Sequence, residues 1–259
     1  MTTGAVTLAI EGHVAKVTFD RPEARNAMTR KMYADLQHIC DALAPRADIR
    51  VAVFRGAGGR SFVAGSDIAI FDSFETGQDG IDYEREMEGH TQAVERLPFP
   101  TVAVIEGWAV GGGLNIAAAC DIRVSTPDAR FGVPIARTVG NCLSMFNYAR
   151  LVDGLGVSRA KRLLLLGDFI DAAEARQAGF LSDVVQHDAL DDHVVGLCER
   201  ISENAPLTLR VSKEAVRRLR EEKLNIEGED LIAKAYGSQD FKRGVAAFKA
   251  KFKPEWYGN

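Results

Sequence analysis

Apolar and polar positions alternate in several distinct rhythms along the chain, and each predicts an element. Val14-Ala15-Lys16-Val17-Thr18-Phe19 reads as a strand closed by the turn Asp20-Arg21-Pro22. Met32, Leu36, Ile39 and Leu43 then recur at steps of four, three and four, which marks one apolar helical stripe, with Thr29 as its N-cap and Pro45 as its stop. Val51-Ala52-Val53-Phe54 is a short apolar strand running into the loop Arg55-Gly56-Ala57-Gly58-Gly59. Thr101 to Ile105 is apolar on both faces, as in a parallel sheet covered by helices. Leu114 to Cys120 predicts a buried helix entered through Gly111-Gly112-Gly113, and Asp121 to Ser125 returns to a strand. Strand–helix alternation of this kind indicates an α/β fold.

The polar, acid-rich stretch from Asp72 to Arg96 is expected to be partly helical and partly mobile. Asp171-Ala172-Ala173-Glu174 carries a reciprocal cap for a helix that ends at Gly179. Beyond Asp191 the pattern predicts helices only: Leu190 to Glu203, Pro206 to Arg220 and Gly228 to Lys251. The expected division is an α/β core over residues 1–195 and a helical C-terminal region over residues 196–259.

Composition narrows the function. Of 259 residues, 46% are apolar and 26% charged, which suits a chain with a sizeable core and excludes a disordered or fibrous one. Thirty-two basic against thirty-six acidic residues give a net charge of −4, so nothing asks for nucleic acid or an anionic membrane. Cys40, Cys120, Cys142 and Cys198 stand far apart with no CxxC pair, so neither a zinc site nor a disulfide framework is expected. No ligand-spaced cluster and no dinucleotide fingerprint occurs, so neither a metal nor a redox cofactor is expected. The apolar stretch Thr101 to Cys120 is interrupted by Glu106, Asn115 and glycines and falls short of the ~18 residues of a spanning helix. Met1 to Glu11 has no signal-peptide pattern, and a cytoplasmic location is expected.

Two loops carry the candidate chemistry: Phe62 to Ile68 and Glu106 to Asn115. Both follow apolar strands, and both use small residues that let a ligand approach the main chain. Three glycines opening a buried helix gather unpaired N–H groups and the positive end of the helix dipole, a place for negative charge. The alternative is that they only permit tight packing. A phosphate loop does not fit, since no Lys-Ser or Lys-Thr follows and the spacing is not GxGxxG.

Together the two loops resemble the crotonase (enoyl-CoA hydratase/isomerase) superfamily, and the resemblance spans nearly the whole chain. Arg21 to Met28 resembles the turn after that family's first hairpin; Pro100 to Gly107 and Cys120 to Arg123 resemble the flanks of its glycine loop. Gly167 to Val185 resembles a later segment, and the Phe248/Lys251 region its terminal helix. The resemblance implies a ββα spiral core with a helical C-terminal trimerisation region, a homotrimer or hexamer, and an acyl-CoA thioester as substrate. Coenzyme A would then be part of the substrate rather than a cofactor. It implies CoA contacts around Ala24, Arg25, Ala64, Ser66, Asp67 and Ile68, with Phe248 and Lys251 from the tail, and a thioester oxygen held between the N–H groups of Ser66 and Gly112.

The chain departs from the family's hydratases at two places. Asn115 stands where one catalytic glutamate is expected, and Phe131-Gly132-Val133-Pro134-Ile135 ends in isoleucine where the second belongs. No acidic residue lies between Asp128 and Asp153. Adding water across a double bond needs one group to take a proton and one to give it, and each lost acid or base costs about 10²–10⁴-fold. Ordinary 2-enoyl-CoA hydration is therefore expected to be poor.

Other residues are candidates for that chemistry. The segment from Gly140 to Val152 resembles a loop of the 4-chlorobenzoyl-CoA dehalogenases, with Cys142 at the nucleophile's position, although a lone cysteine in apolar surroundings is more often core. His90, on an expected helix Tyr83 to Glu95 that by the resemblance borders the acyl pocket, is a candidate base, with a partly exposed surface histidine the commoner outcome; Glu84, Glu86 and Glu88 in the same run read as a solvated face. Asp67 is assigned to loop support. Arg137 is placed either near a substrate carboxylate or CoA phosphate or on the surface, and Tyr148 is read as packing. The expected activity is lyase or isomerase chemistry through a thioester enolate. Decarboxylation of a malonyl-type thioester, a silent acyl-CoA binder and a CoA-independent diketone hydrolase are the alternatives.

Overall fold

The computed structural model describes residues 3–223 and 228–257. It opens with an antiparallel hairpin, β1 (Ala5–Glu11) and β2 (Val14–Asp20), in which Glu11 faces Val14. Helix α1 (Arg30–Leu43) begins where expected: the Thr29 hydroxyl accepts from the Met32 amide at 3.2 Å. Its predicted stripe is buried.

The chain then alternates between two sheets. β3 (Val51–Gly56) joins the hairpin's sheet and β4 (Ser61–Val63) starts the second, followed by α2 (Gly77–Glu95). β5 (Thr101–Ile105) and β6 (Trp108–Val110) repeat the step and lead into α3 (Gly112–Ala119). β7 (Ile122–Ser125) and β8 (Arg130–Gly132) repeat it again, followed by α4 (Ile135–Thr138), α5 (Met145–Leu155) and α6 (Val157–Leu166). β9 (Phe169–Asp171), α7 (Ala172–Gln177) and β10 (Asp183–Val184) close both sheets. The larger sheet runs β1-β2-β3-β5-β7-β10, parallel from β2 onward; the smaller runs β4-β6-β8-β9, with only β9 antiparallel. This is a ββα spiral.

Period two explains the unbroken apolar runs of the central strands. Val51, Val53, Val102, Val104 and Val124 pack with Leu190, Leu197, Cys198 and Ile201 of α8 (Leu190–Glu203). Ala52, Phe54, Ala103 and Ile105 join the main core. The position between residues 195 and 196 lies inside α8. The chain continues through α9 (Pro206–Lys223), α10 (Glu229–Tyr236) and α11 (Gln239–Ala250).

The helix expected within the stretch from Asp72 to Arg96 is longer than Tyr83 to Glu95: α2 has 19 residues and starts where the Asp79 carboxylate accepts from the Thr76 amide at 2.7 Å. Its buried face mixes Ile81, Tyr83, Met87 and Val94 with Glu84, Glu88 and Thr91, so hydrophobic periodicity alone does not mark its start. Gly228 to Lys251 is two helices, because Ser238 starts a new one by accepting from the Phe241 amide at 3.0 Å. Of the apolar tail residues Phe241, Val245 and Phe248, which the sequence offers for burial against a neighbouring copy, Phe241 and Val245 are instead buried within the chain, Phe241 against Phe71, Phe74 and Tyr236. Among the described residues no helix is long and apolar enough to cross a membrane.

Candidate active site

One wall of the site is built by stitching the turn after β2 to the segment after β4. Arg25 and Asn26 adopt left-handed φ values of 52° and 58°. The Asn26 side chain donates to the carbonyls of Ala57 (3.0 Å) and Ser61 (2.8 Å) and accepts from the Arg21 amide (3.0 Å). Met28 then pairs with Ser66 as an isolated parallel bridge: its amide donates to Gly65 O and its carbonyl accepts from Asp67, both at 2.8 Å. The Ala64 amide donates to Arg25 O at 3.1 Å. Arg21 ties the same pieces through Asp67, 2.6 Å away. Between these committed groups, the Ser66 amide has no main-chain acceptor among the described residues.

The second wall is the start of α3. Gly111 turns the chain at φ 53°, a region that disfavours side chains, and a Cβ on Gly113 would run into the Val63 carbonyl, so the helix start sits directly on β4. Gly112 faces the Ser66 segment; a Cβ there would stand 4.0 Å from the Ser66 nitrogen and 2.7 Å from Tyr33 Oη. As the first residue of the helix, Gly112 has an N–H with no intrahelical partner, at the positive end of the helix dipole.

These walls enclose a cavity of about 150 Å³. Of the residues expected at the site, Ala64, Ser66, Ile68, Gly112, Asn115, Ile135 and Phe248 line it, with Phe248 half-exposed. Ala24, Arg25, Asp67, Arg137 and Lys251 do not; Arg25, Arg137 and Lys251 are exposed, and Lys251 caps α11 with φ 58°. Asp67 accepts from the Ala69 amide and from Arg21. Burial opposes its charge, but these two donors keep its carboxyl below the usual range. It supports the loop.

The sequence reading missed Tyr33, Tyr83 and Glu84, all of which line the cavity. Ser66 Oγ lies between the two tyrosine hydroxyls, 2.8 Å from Tyr33 and 2.7 Å from Tyr83. Burial pushes Tyr33 up to about 12 and Tyr83 well above its usual value, so both remain hydroxyls. Each is a large aromatic residue on a buried helix face, so residue type alone assigns it to the core.

Glu84 and Glu88 are buried rather than solvated, and only Glu86 keeps to the surface, paired with Arg30 at 2.7 Å. Glu88 forms a two-pronged pair with buried Arg150 at 2.7 and 2.9 Å and accepts from the Ser144 hydroxyl. Glu84 has neutral partners: the Tyr236 hydroxyl donates to Oε1 at 2.6 Å and the Ser144 amide to Oε2 at 2.8 Å. Burial dominates, with the Glu88 charge adding to it, and lifts the Glu84 carboxyl to about 7 against the pull of those donors.

The remaining candidates fall behind the walls. His90 stacks on Tyr33 with ring centroids 5.5 Å apart and contacts Gln37; burial lowers its pKa and it does not line the cavity. Cys142 is buried outside the cavity lining, and desolvation, with the nearby Glu84, raises its thiol to about 12, the opposite of an activated nucleophile. The Tyr148 hydroxyl accepts from the Leu143 amide at 3.3 Å and packs. Asn115, 2% exposed, leaves its Oδ1 without a hydrogen-bond partner.

Comparison with known proteins agrees with this architecture. The family described as enoyl-CoA hydratase/isomerase matches residues 9–259. An (E)-benzylidenesuccinyl-CoA hydratase from Thauera aromatica is 37% identical over 210 residues, 81% of each chain. A short-chain-enoyl-CoA hydratase from Clostridium acetobutylicum is 31% identical over 98% of each chain. Among solved structures, a methylmalonyl-CoA decarboxylase in complex with 2-nitronate-propionyl-CoA superposes with a TM-score of 0.89 at 26% identity, covering 98% of this chain and 99% of that one. An enoyl-CoA hydratase/carnithine racemase from Magnetospirillum magneticum gives 0.80 at 33% identity, over 100% and 97%. With its spiral of paired strands and helices and a match over nearly its full length, this chain belongs to the enoyl-CoA hydratase/isomerase (crotonase) family.

Proposed function

We propose that the protein is an acyl-CoA lyase or isomerase that works through a thioester enolate. One observation carries this reading: Ser66 and Gly112, from two adjoining walls, line the same cavity with their segments facing each other, and neither amide has a main-chain acceptor among the described residues. A thioester oxygen set between them would meet two fixed donors and the dipole of α3 as negative charge builds, and one such donor is worth about 3 kcal/mol of barrier. The CoA portion would leave the cavity over the turn at Ala24 and Arg25 and past Asp67, with Lys251 of the tail as a further contact. CoA enters as part of the substrate, and no separate cofactor is required.

Asn115 and Ile135 occupy the positions proposed for the hydratase glutamates, so crotonyl-CoA hydration should be slow. A second reading, decarboxylation of a malonyl-type thioester, is favoured by the likeness to methylmalonyl-CoA decarboxylase. Loss of CO₂ generates the enolate directly, without a base to remove a proton.

Purified protein incubated with methylmalonyl-CoA, a 3-enoyl-CoA and crotonyl-CoA, with binding followed by calorimetry, tests both readings. Turnover of either of the first two with little of the third is expected. Rapid hydration of crotonyl-CoA would overturn the role given to Asn115 and Ile135. Tight binding without any turnover would make the protein a binder. Assembly as a trimer or a pair of trimers belongs to the same reading, and light scattering tests it.

A further inference from the structure

The geometry points to Glu84, on the inner face of α2, as the proton-transfer group of this cavity. The inference rests on the enolate reading above and names the base that reading leaves open. Tyr33, Tyr83 and Glu84 are the only titratable side chains among the described residues that line the cavity. The two tyrosines keep their protons far past neutrality, which leaves Glu84 to exchange one near pH 7.

The neighbourhood explains why this carboxylate differs from Glu88, one turn along the same helix. Arg150 of α5 is committed to Glu88 and Glu95, and among the described residues no ion pair involves Glu84. The groups facing Glu84 are Tyr33 from α1, Tyr83 and Glu88 from α2, Cys142 and Tyr148 from the segment entering and opening α5, and Tyr236 from α10. Apart from Glu88, all are neutral near pH 7, so no cation holds Glu84 ionised. Its two donors, Tyr236 and the Ser144 amide, fix the carboxylate's orientation and leave each oxygen further lone pairs. The Asn141 amide donates to the Tyr236 hydroxyl at 3.0 Å, which turns that hydroxyl's proton toward Glu84.

The step balances. A carboxylate oxygen of Glu84 forms an O–H bond with the hydrogen on the carbon next to the thioester. The C–H electron pair becomes the carbon–carbon double bond of the enolate, and the carbonyl pair moves onto the oxygen facing Ser66 and Gly112. Once the Glu84 O–H has traded its hydrogen with solvent, return to the α-carbon restores the carboxylate and yields exchange. In a 3-enoyl thioester the enolate is a dienolate, and return of the proton to the γ-carbon shifts the double bond to the 2-position, which is isomerisation.

The test is hydrogen exchange at the α-carbon of butyryl-CoA in D₂O, followed by mass spectrometry, beside calorimetric binding of the same compound. Wild-type protein is expected to exchange with a rate that rises with pH through a midpoint near 7. Glu84→Gln is expected to keep butyryl-CoA affinity and lose about a hundredfold in exchange. Tyr236→Phe removes a donor that favours the carboxylate, so its midpoint should move to higher pH; this readout decides the matter if Glu84→Gln does not fold. Wild-type exchange in Glu84→Gln, or an unmoved midpoint in Tyr236→Phe, overturns the role of Glu84 and leaves the enolate reading intact. Wild-type protein that binds butyryl-CoA without exchanging it overturns both.

Discussion

The Tyr33 hydroxyl lies 2.8 Å from Ser66 Oγ and in the space that a side chain on Gly112 would need, 2.7 Å from the position of a Cβ there. Gly112→Ala should therefore fold, since alanine suits the first turn of a helix, yet displace Tyr33 and disturb the Ser66 segment. We expect turnover to fall by about tenfold or more as the two amides separate. Adding Tyr33→Phe removes the obstructing oxygen and should recover part of the loss. Paired melting and turnover measurements on the single and double variants check this.

Glu84 also predicts a pH dependence of stability. Its folded-state pKa, about 7, is raised above the ordinary value of 4.5, so its contribution is complete below pH 4.5 and lost as pH rises through 7. The wild type should weaken relative to Glu84→Gln across that window, by on the order of 3 kcal/mol at most. Urea denaturation of both proteins from pH 5 to pH 8 measures the difference. Parallel pH profiles would contradict it.

Arg150, 2% exposed, is the counter-charge of Glu88. Arg150→Met strands a buried carboxylate and should cost about 3–5 kcal/mol, whereas Arg150→Met with Glu88→Leu should recover much of it. Denaturant midpoints of the single and double variants give the answer directly.

Cys142 should be inert. With burial holding its thiol near 12, iodoacetamide should leave it unmodified in the native state and label it in urea, as peptide mass spectrometry would read out. Cys142→Ala should keep wild-type turnover.

The central strands and α1 were legible because their residues obey one period and serve one purpose, packing. The ββα spiral was read from resemblance, since β4, β6, β8 and β9 have three residues each, too few to carry a pattern. The glycine loop and Ser66 announced themselves through small residues near strand ends. Glu84 did not, because a carboxylate within Tyr83-Glu84-Arg85-Glu86 looks solvated in one dimension. Only the packing of α2 against α10 and the segment before α5 separates it from Glu86. Tyr33 and Tyr83 were hidden for the converse reason: an aromatic residue on a buried helix face gives no sign that its hydroxyl has a task.

Asn26 is a keystone. Fully buried and held at φ 58°, it clasps two stretches of chain with one amide, and two residues later the backbone meets Ser66. A ligand gripped by the outer rim of that turn is thus gripped by the same rigid casting that presents the inner amide. Slackening Asn26 would loosen a surface it never touches, and the fit at the reacting end would be lost from the far side.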